Sequence, residues 1–160
     1  MKVIDNFLPD DVFENIQNKL MDTMWIFQKT VAIKRDKEEF ENSFYTHVAY
    51  KNDVPVSEMF EHLQYFHTDK RLGLKSMLRL VINAYPYTPK LYEHSNHYDF
   101  FYEHKGAILY LNTCDGYTFA EGQRVQSIAN RVLLHDPSNL HHSTTTTNAQ
   151  RRVICNLNYF

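Results

Sequence analysis

The sequence is short of glycine, with four in 160 residues, and of cysteine, with two. So few glycines argue against the loops that cradle nucleotide phosphates, and hence against nucleotide folds. Cys114 and Cys155 form no C-x-x-C pair, and a chain of this length buries a core without cross-links. Two reduced thiols in a reducing, cytoplasmic compartment follow. No stretch approaches the roughly 20 apolar residues of a membrane span, and the opening MKVIDNFLPDD has no apolar run of signal-peptide length. Formal net charge is −2 with scattered lysines and arginines, so there is no footprint for nucleic acid or an anionic membrane. A peptide or small-molecule substrate is favoured.

Aromatics, by contrast, are abundant: 11 Tyr, 11 Phe and Trp25. Val3 to Phe7 reads as a short strand. Pro9-Asp10-Asp11 then opens a helix, proline and acidic residues suiting its first turn, with Val12, Ile16 and Leu20 as its apolar stripe. The charged run KRDKEEFEN at 34–42 reads as a solvated loop or helix face. Ser57 and Glu61 frame a second helix with Met59, Phe60 and Leu63 on its apolar side. From Met77 the pattern becomes short β runs, MLRLVINAYPY, GAILYLN, VQSIA, RVLLHD and RRVICNLNYF, separated by turn signals such as Asp136-Pro137-Ser138-Asn139. Thr144 to Thr147 reads as a strand edge or hairpin. One domain is expected, mostly β with helical support (α+β): residues 1–76 supply helices and outer strands, and residues 77–160 form a β core of paired antiparallel sheets or a barrel.

His-x-Asp occurs twice, as His67-Thr68-Asp69 and His97-Tyr98-Asp99. Residues two apart on a strand share a face, so an imidazole and a carboxylate so spaced can converge on one ion. The first pair falls at the end of the second helix beside Lys70 and Arg71, which makes it a helix terminus and turn. The second lies between strands and is followed by His141-His142, so one more imidazole completes a site. Two histidines and a carboxylate leave three positions of an octahedral metal open, as in non-haem iron(II) oxygenases, whereas structural zinc sites are normally closed by four protein ligands. Arg152 opens the last strand, and its guanidinium suits a bidentate pair with a carboxylate. Its neighbour Arg151 has opposite parity and should face solvent. His94, His104 and His135 read as surface or hydrogen-bonded histidines.

The order His-x-Asp, distal His, then Arg resembles the 2-oxoglutarate and iron(II) dependent dioxygenases, especially the prolyl 4-hydroxylase-like branch. The resemblance covers roughly residues 78–160 and includes Ala84-Tyr85-Pro86, Tyr110-Leu111-Asn112, Asp115-Gly116-Tyr117-Thr118 and the closing strand from Arg152 to Phe160. The stretch VQSIANRVLLHDPSNLHHSTTTT is similar to small single-domain members from marine bacteriophages. The fold so implied is a double-stranded β-helix (jelly-roll, cupin-like) with N-terminal helices packed outside.

That register implies His97, Asp99 and His142 as iron ligands, with His141 the variable neighbour. Arg152 would pair with the far carboxylate of 2-oxoglutarate, and Tyr85 and Tyr110 match positions that touch this cosubstrate. Asn156 and Asn158 share Arg152's parity and should face the same cavity, Asn156 being placed with the cosubstrate residues. Asn158 stands where some relatives carry a tryptophan. Implied cofactors are Fe(II), 2-oxoglutarate and O2, with ascorbate as an optional reductant. The implied activity is hydroxylation of an unactivated C–H bond, a peptidyl proline being the first substrate on family grounds. A non-catalytic barrel binding 2-oxoglutarate or a peptide, and a cupin-like metalloenzyme of another reaction class, are the competing readings.

Overall fold

The computed structural model describes residues 1–32 and 40–160. In chain order the elements are β1 (Lys2–Ile4), α1 (Asp10–Lys19), β2 (Ile26–Gln28), β3 (Phe44–Lys51), β4 (Val54–Pro55), α2 (Met59–His62), α3 (Gln64–His67), β5 (Met77–Pro86), β6 (Lys105–Tyr110), β7 (Tyr117–Ala120), β8 (Gln123–Gln126), β9 (Arg131–His135), β10 (His142–Ser143) and β11 (Arg151–Tyr159). The large sheet runs β1-β9-β6-β11-β5-β3-β2, with β4 on β3, and the small one runs β10-β7-β8. The strand pairs are antiparallel.

β11 is central, paired with β5 on one side and β6 on the other. Its alternation divides the interior in two. Val153, Cys155, Leu157 and Tyr159 enter one core together with Phe13 and Ile16 of α1, Met59 of α2, Leu63 and Phe66, so the N-terminal helices pack on the outer face of the large sheet. That single core joins side chains from residues 1–76 and 77–160. Ile154 instead joins Tyr85, Ile108, Tyr110, Leu133 and, from the small sheet, Val125. The second cluster is the space between the sheets, and Arg152, Asn156 and Asn158 line it too.

Local chemistry accounts for the connections. α1 begins after Pro9, with Asp10 and Asp11 in its first turn and Lys19 in its last, charges that suit the helix dipole. Glu121 and Gly122 join β7 to β8 with φ of 49° and 77°, the left-handed pair a two-residue hairpin needs. Several expectations shift. β8 begins and ends earlier than the VQSIA run, and Tyr117–Ala120, which none of the β runs covers, is strand β7. Of the charged run at 34–42, residues 34–39 lie outside the described residues, and Phe40–Asn42 form a 3-10 turn with Asn42 buried. Thr144, Thr145 and Thr146 are wholly buried, Thr144 bridging to Glu93 and Thr146 to Tyr87. Among the described residues no helix is long and apolar enough to cross a membrane.

Candidate active site

The segment between β5 and β6 crosses the open side of the small sheet, and His97 forms an antiparallel bridge with His141. Their backbones exchange both hydrogen bonds, His97 N to His141 O at 2.9 Å and His141 N to His97 O at 3.1 Å. Directly opposed residues project to the same face, so both imidazoles stand together. Asp99 is held by its backbone N–H, which donates to Pro137 O at 3.1 Å. Its Oδ1 lies 4.0 Å from His97 Nε2 and 3.8 Å from His141 Nε2. One donor atom from each of the three residues falls within 4.8 Å of the others.

The structure thus brings His141, and not the His142 expected from the sequence pattern, against His97 and Asp99. His142 follows the bridged residue and so projects to the opposite face. Its ring stacks on Phe119 at 5.0 Å and 8°, and its Nδ1 lies 2.8 Å from Asn96 Oδ1. His67 and Asp69 stay apart: the His67 ring stacks on Phe60, while Asp69 pairs with Arg71 at 2.7 Å.

The tautomers of the clustered histidines follow from their partners. His97 Nδ1 is 3.2 Å from Ser95 O and His141 Nδ1 is 3.0 Å from Asn139 O. A carbonyl only accepts, so each Nδ1 carries a proton, and in the neutral ring each Nε2 keeps its lone pair toward Asp99. Burial lowers the pKa of His141, partly offset by the Asp99 carboxylate, which favours the neutral ring a metal requires. Burial disfavours a charged Asp99, yet Arg79, His141, Asn158 and His97 hold its carboxyl well below the usual range. The donor set is two neutral imidazole nitrogens and one carboxylate oxygen, which fits a divalent transition metal with positions left open.

Arg152 begins the inner face of β11, four residues before Asn156, or about 13 Å of strand. It is wholly buried. Nη2 donates to Thr118 Oγ1 at 2.8 Å, while Nε and Nη1 have no hydrogen-bond partner among the described residues. The rings of Tyr85 and Tyr110 lie 5.4 Å and 5.6 Å from Cζ, and burial raises both phenol pKa values. A buried cation with two orphaned donors between tyrosines fits a small carboxylate. Gly116 makes room for it, since a Cβ there would sit 2.5 Å from Arg152 Cδ. Arg151 points the other way, onto a cleft of about 350 Å³ with Trp25, Tyr45 and Pro86.

Asn156 shares this interior but bonds at the opposite end, donating to Asp99 Oδ2 at 3.0 Å. Asn158 does the same at 2.8 Å. Their parity was legible in the sequence, but nothing in it indicated Asp99 as their partner. Arg79, also at Asp99, carried no motif at all. His94 and His104 are buried and hydrogen-bonded, His94 to Ser143 and Glu41. His135 departs from expectation: it is buried edge-on against His141 at 5.2 Å, and neither ring nitrogen has a hydrogen-bond partner among the described residues. Burial, with His141 adding to it, pushes its pKa down to about 3.

No family model matches the sequence, and no curated protein matches it significantly. Solved structures are. A prolyl hydroxylase from Trichoplax adhaerens, in complex with a hypoxia inducible factor peptide fragment, superposes with a TM-score of 0.64 at 15% identity, covering 99% of this chain and 82% of that one. A Pseudomonas putida prolyl-4-hydroxylase gives 0.59 at 15% identity, covering 99% and 91%. HygX from Streptomyces hygroscopicus, with nickel and 2-oxoglutarate bound, gives 0.64 at 13% identity, covering 98% and 81%. At such identities the likeness speaks for architecture: the fold of this chain is the double-stranded β-helix shared by 2-oxoglutarate and iron(II) dependent oxygenases, prolyl hydroxylases among them.

Proposed function

We propose that this protein is a 2-oxoglutarate and iron(II) dependent dioxygenase of the prolyl 4-hydroxylase-like branch, hydroxylating an unactivated C–H bond. The observation that carries the reading is that an open His97, Asp99, His141 cluster shares one barrel interior with a buried arginine, two of whose nitrogens lack partners among the described residues. His97 and His141 would hold iron(II) through Nε2 and Asp99 through Oδ1. Iron(II) held there would supply, together with 2-oxoglutarate, the activation of O2 that a C–H bond demands. Arg152 would receive the far carboxylate on Nε and Nη1, which have no partner among the described residues, and Thr118 would fix the plane of the guanidinium. Tyr85, Tyr110, Ile108, Leu133 and Ile154 keep that end dry, which strengthens the charge pair and sets the cosubstrate's direction.

Two of the similar structures are prolyl hydroxylases and one of these holds a peptide, which supports a peptidyl proline as the first substrate to try. Similarity of the Val125 to Thr147 stretch to phage members supports a phage source. The test is anaerobic addition of iron(II) and 2-oxoglutarate to the metal-free protein. A weak visible charge-transfer band with one iron per chain is expected, and no band with any 2-oxo acid would refute the assignment.

A further inference from the structure

The two oxygens of Asp99 are treated differently by their surroundings. Oδ1 faces the histidines, at 4.0 Å from His97 Nε2 and 3.8 Å from His141 Nε2. Oδ2 accepts two side-chain amides, from Asn156 Nδ2 at 3.0 Å and Asn158 Nδ2 at 2.8 Å. Both donors project from the inner face of β11, and both are buried, Asn156 at 7% exposure and Asn158 at 0%, so water does not readily replace them.

The orientation of Asn158 is dictated by its other neighbours. Arg79 can only donate, and its Nε and Nη2 lie 3.2 Å and 3.0 Å from Asn158 Oδ1. The amide nitrogen is therefore left for Asp99. Its second N–H falls 3.2 Å from His104 Nε2, while His104 Nδ1 is 2.8 Å from the Tyr102 carbonyl. That carbonyl keeps the proton on Nδ1, so Nε2 of His104 is an acceptor. Every member of the chain Arg79, Asn158, His104 has its role set by a partner that admits no alternative. Arg79 Nη2 also reaches Asp99 Oδ1 at 3.2 Å, which offsets the carboxylate's charge from one side.

We propose that Asn156 and Asn158 are positioning residues that hold Asp99 as a one-oxygen ligand, with Arg79 and His104 setting the Asn158 amide. The inference rests on the metal assignment of His97, Asp99 and His141. A carboxylate with both oxygens free can chelate through both and so occupy an extra position. Three positions must stay open for a bidentate oxo acid and O2. With Oδ2 committed to two N–H donors, chelation would strand buried amides, so the one-oxygen mode is favoured.

The experiment is anaerobic titration of cobalt(II) into the full-length protein, read by calorimetry and by the visible bands that report coordination number. Wild type, Asn156→Leu, Asn158→Leu and the double variant are compared, with thermal unfolding as a fold control. Wild type should bind one cobalt(II) per chain. The variants should bind about 10- to 100-fold more weakly, with bands shifted toward higher coordination in the double variant. If the leucine variants do not fold, Arg79→Met, on a partly exposed side chain, frees the Asn158 amide to turn over and should shift the bands in the same direction. Unchanged bands, whether or not affinity falls, would overturn the proposal and leave a packing role. A wild-type protein that binds no cobalt(II) would refute the metal site itself, and the inference with it.

Discussion

Arg152→Met should stabilise the metal-free protein while abolishing its response to 2-oxoglutarate. The guanidinium has no exposure, one hydrogen bond to Thr118 at 2.8 Å and two nitrogens with no partner among the described residues. Desolvating a cation costs several kcal/mol, and each stranded donor adds about 1–3 kcal/mol. Against this stand one charge-assisted hydrogen bond, about 1.5–3 kcal/mol, and two ring faces at 5.4 Å and 5.6 Å, each about 1–2 kcal/mol when desolvated. The balance leaves the arginine unfavourable by about 2 kcal/mol, within the 1–4 kcal/mol gained when buried ionic groups elsewhere are replaced by apolar ones. For a chain of this size that is a rise of roughly 4–8 °C in Tm. Wild type with manganese(II) and 2-oxoglutarate at 100 times Kd should recover about 2.7 kcal/mol, and the methionine variant nothing. Differential scanning calorimetry of both proteins, with manganese(II) alone and with added 2-oxoglutarate, reads both effects. A methionine variant that melts below wild type would show that the cation supports the fold unaided. Equal 2-oxoglutarate shifts in the two proteins would remove Arg152 from the cosubstrate site.

Further outcomes are expected. His141→Ala should abolish stoichiometric manganese(II) binding in a calorimetric titration while His142→Ala retains it within a few-fold, and the opposite result would return the ligand role to His142. In metal-free protein, His135 has a folded-state pKa near 3 against an ordinary value of 6.5, so the unfolded chain takes the proton first. The stability this contributes is complete above about pH 6.5 and is lost as the pH falls toward 3, a change on the order of 4 kcal/mol. Urea unfolding at a series of pH values should show it, and a flat profile between pH 6.5 and 4 would contradict the burial argument. Gly116→Ala would set a Cβ 2.5 Å from Arg152 Cδ and 2.6 Å from Thr145 O. It should cost about 1–3 kcal/mol and weaken 2-oxoglutarate binding, both measurable by thermal shift; wild-type behaviour in both would show that the close packing is dispensable.

Much of the architecture was legible because it is written locally. α1 carries its own start signal and stripe, and β5, β6, β9 and β11 are apolar runs bounded by turn residues, so each appears where the pattern placed it. The alternation of β11 alone put Arg152, Asn156 and Asn158 on one face. β3 escaped because a register shift between Val48 and Tyr50 breaks its alternation, and β7 because it is only four residues long and directly follows Asp115-Gly116. The choice between His141 and His142 could not be made from the sequence. Adjacent strand residues face opposite ways, and which one joins His97 depends on the cross-strand register of two segments far apart in the chain. The same holds for the carboxylate: His-x-Asp announces Asp99, but which of its oxygens is free is decided by amides that only the closed barrel brings against it.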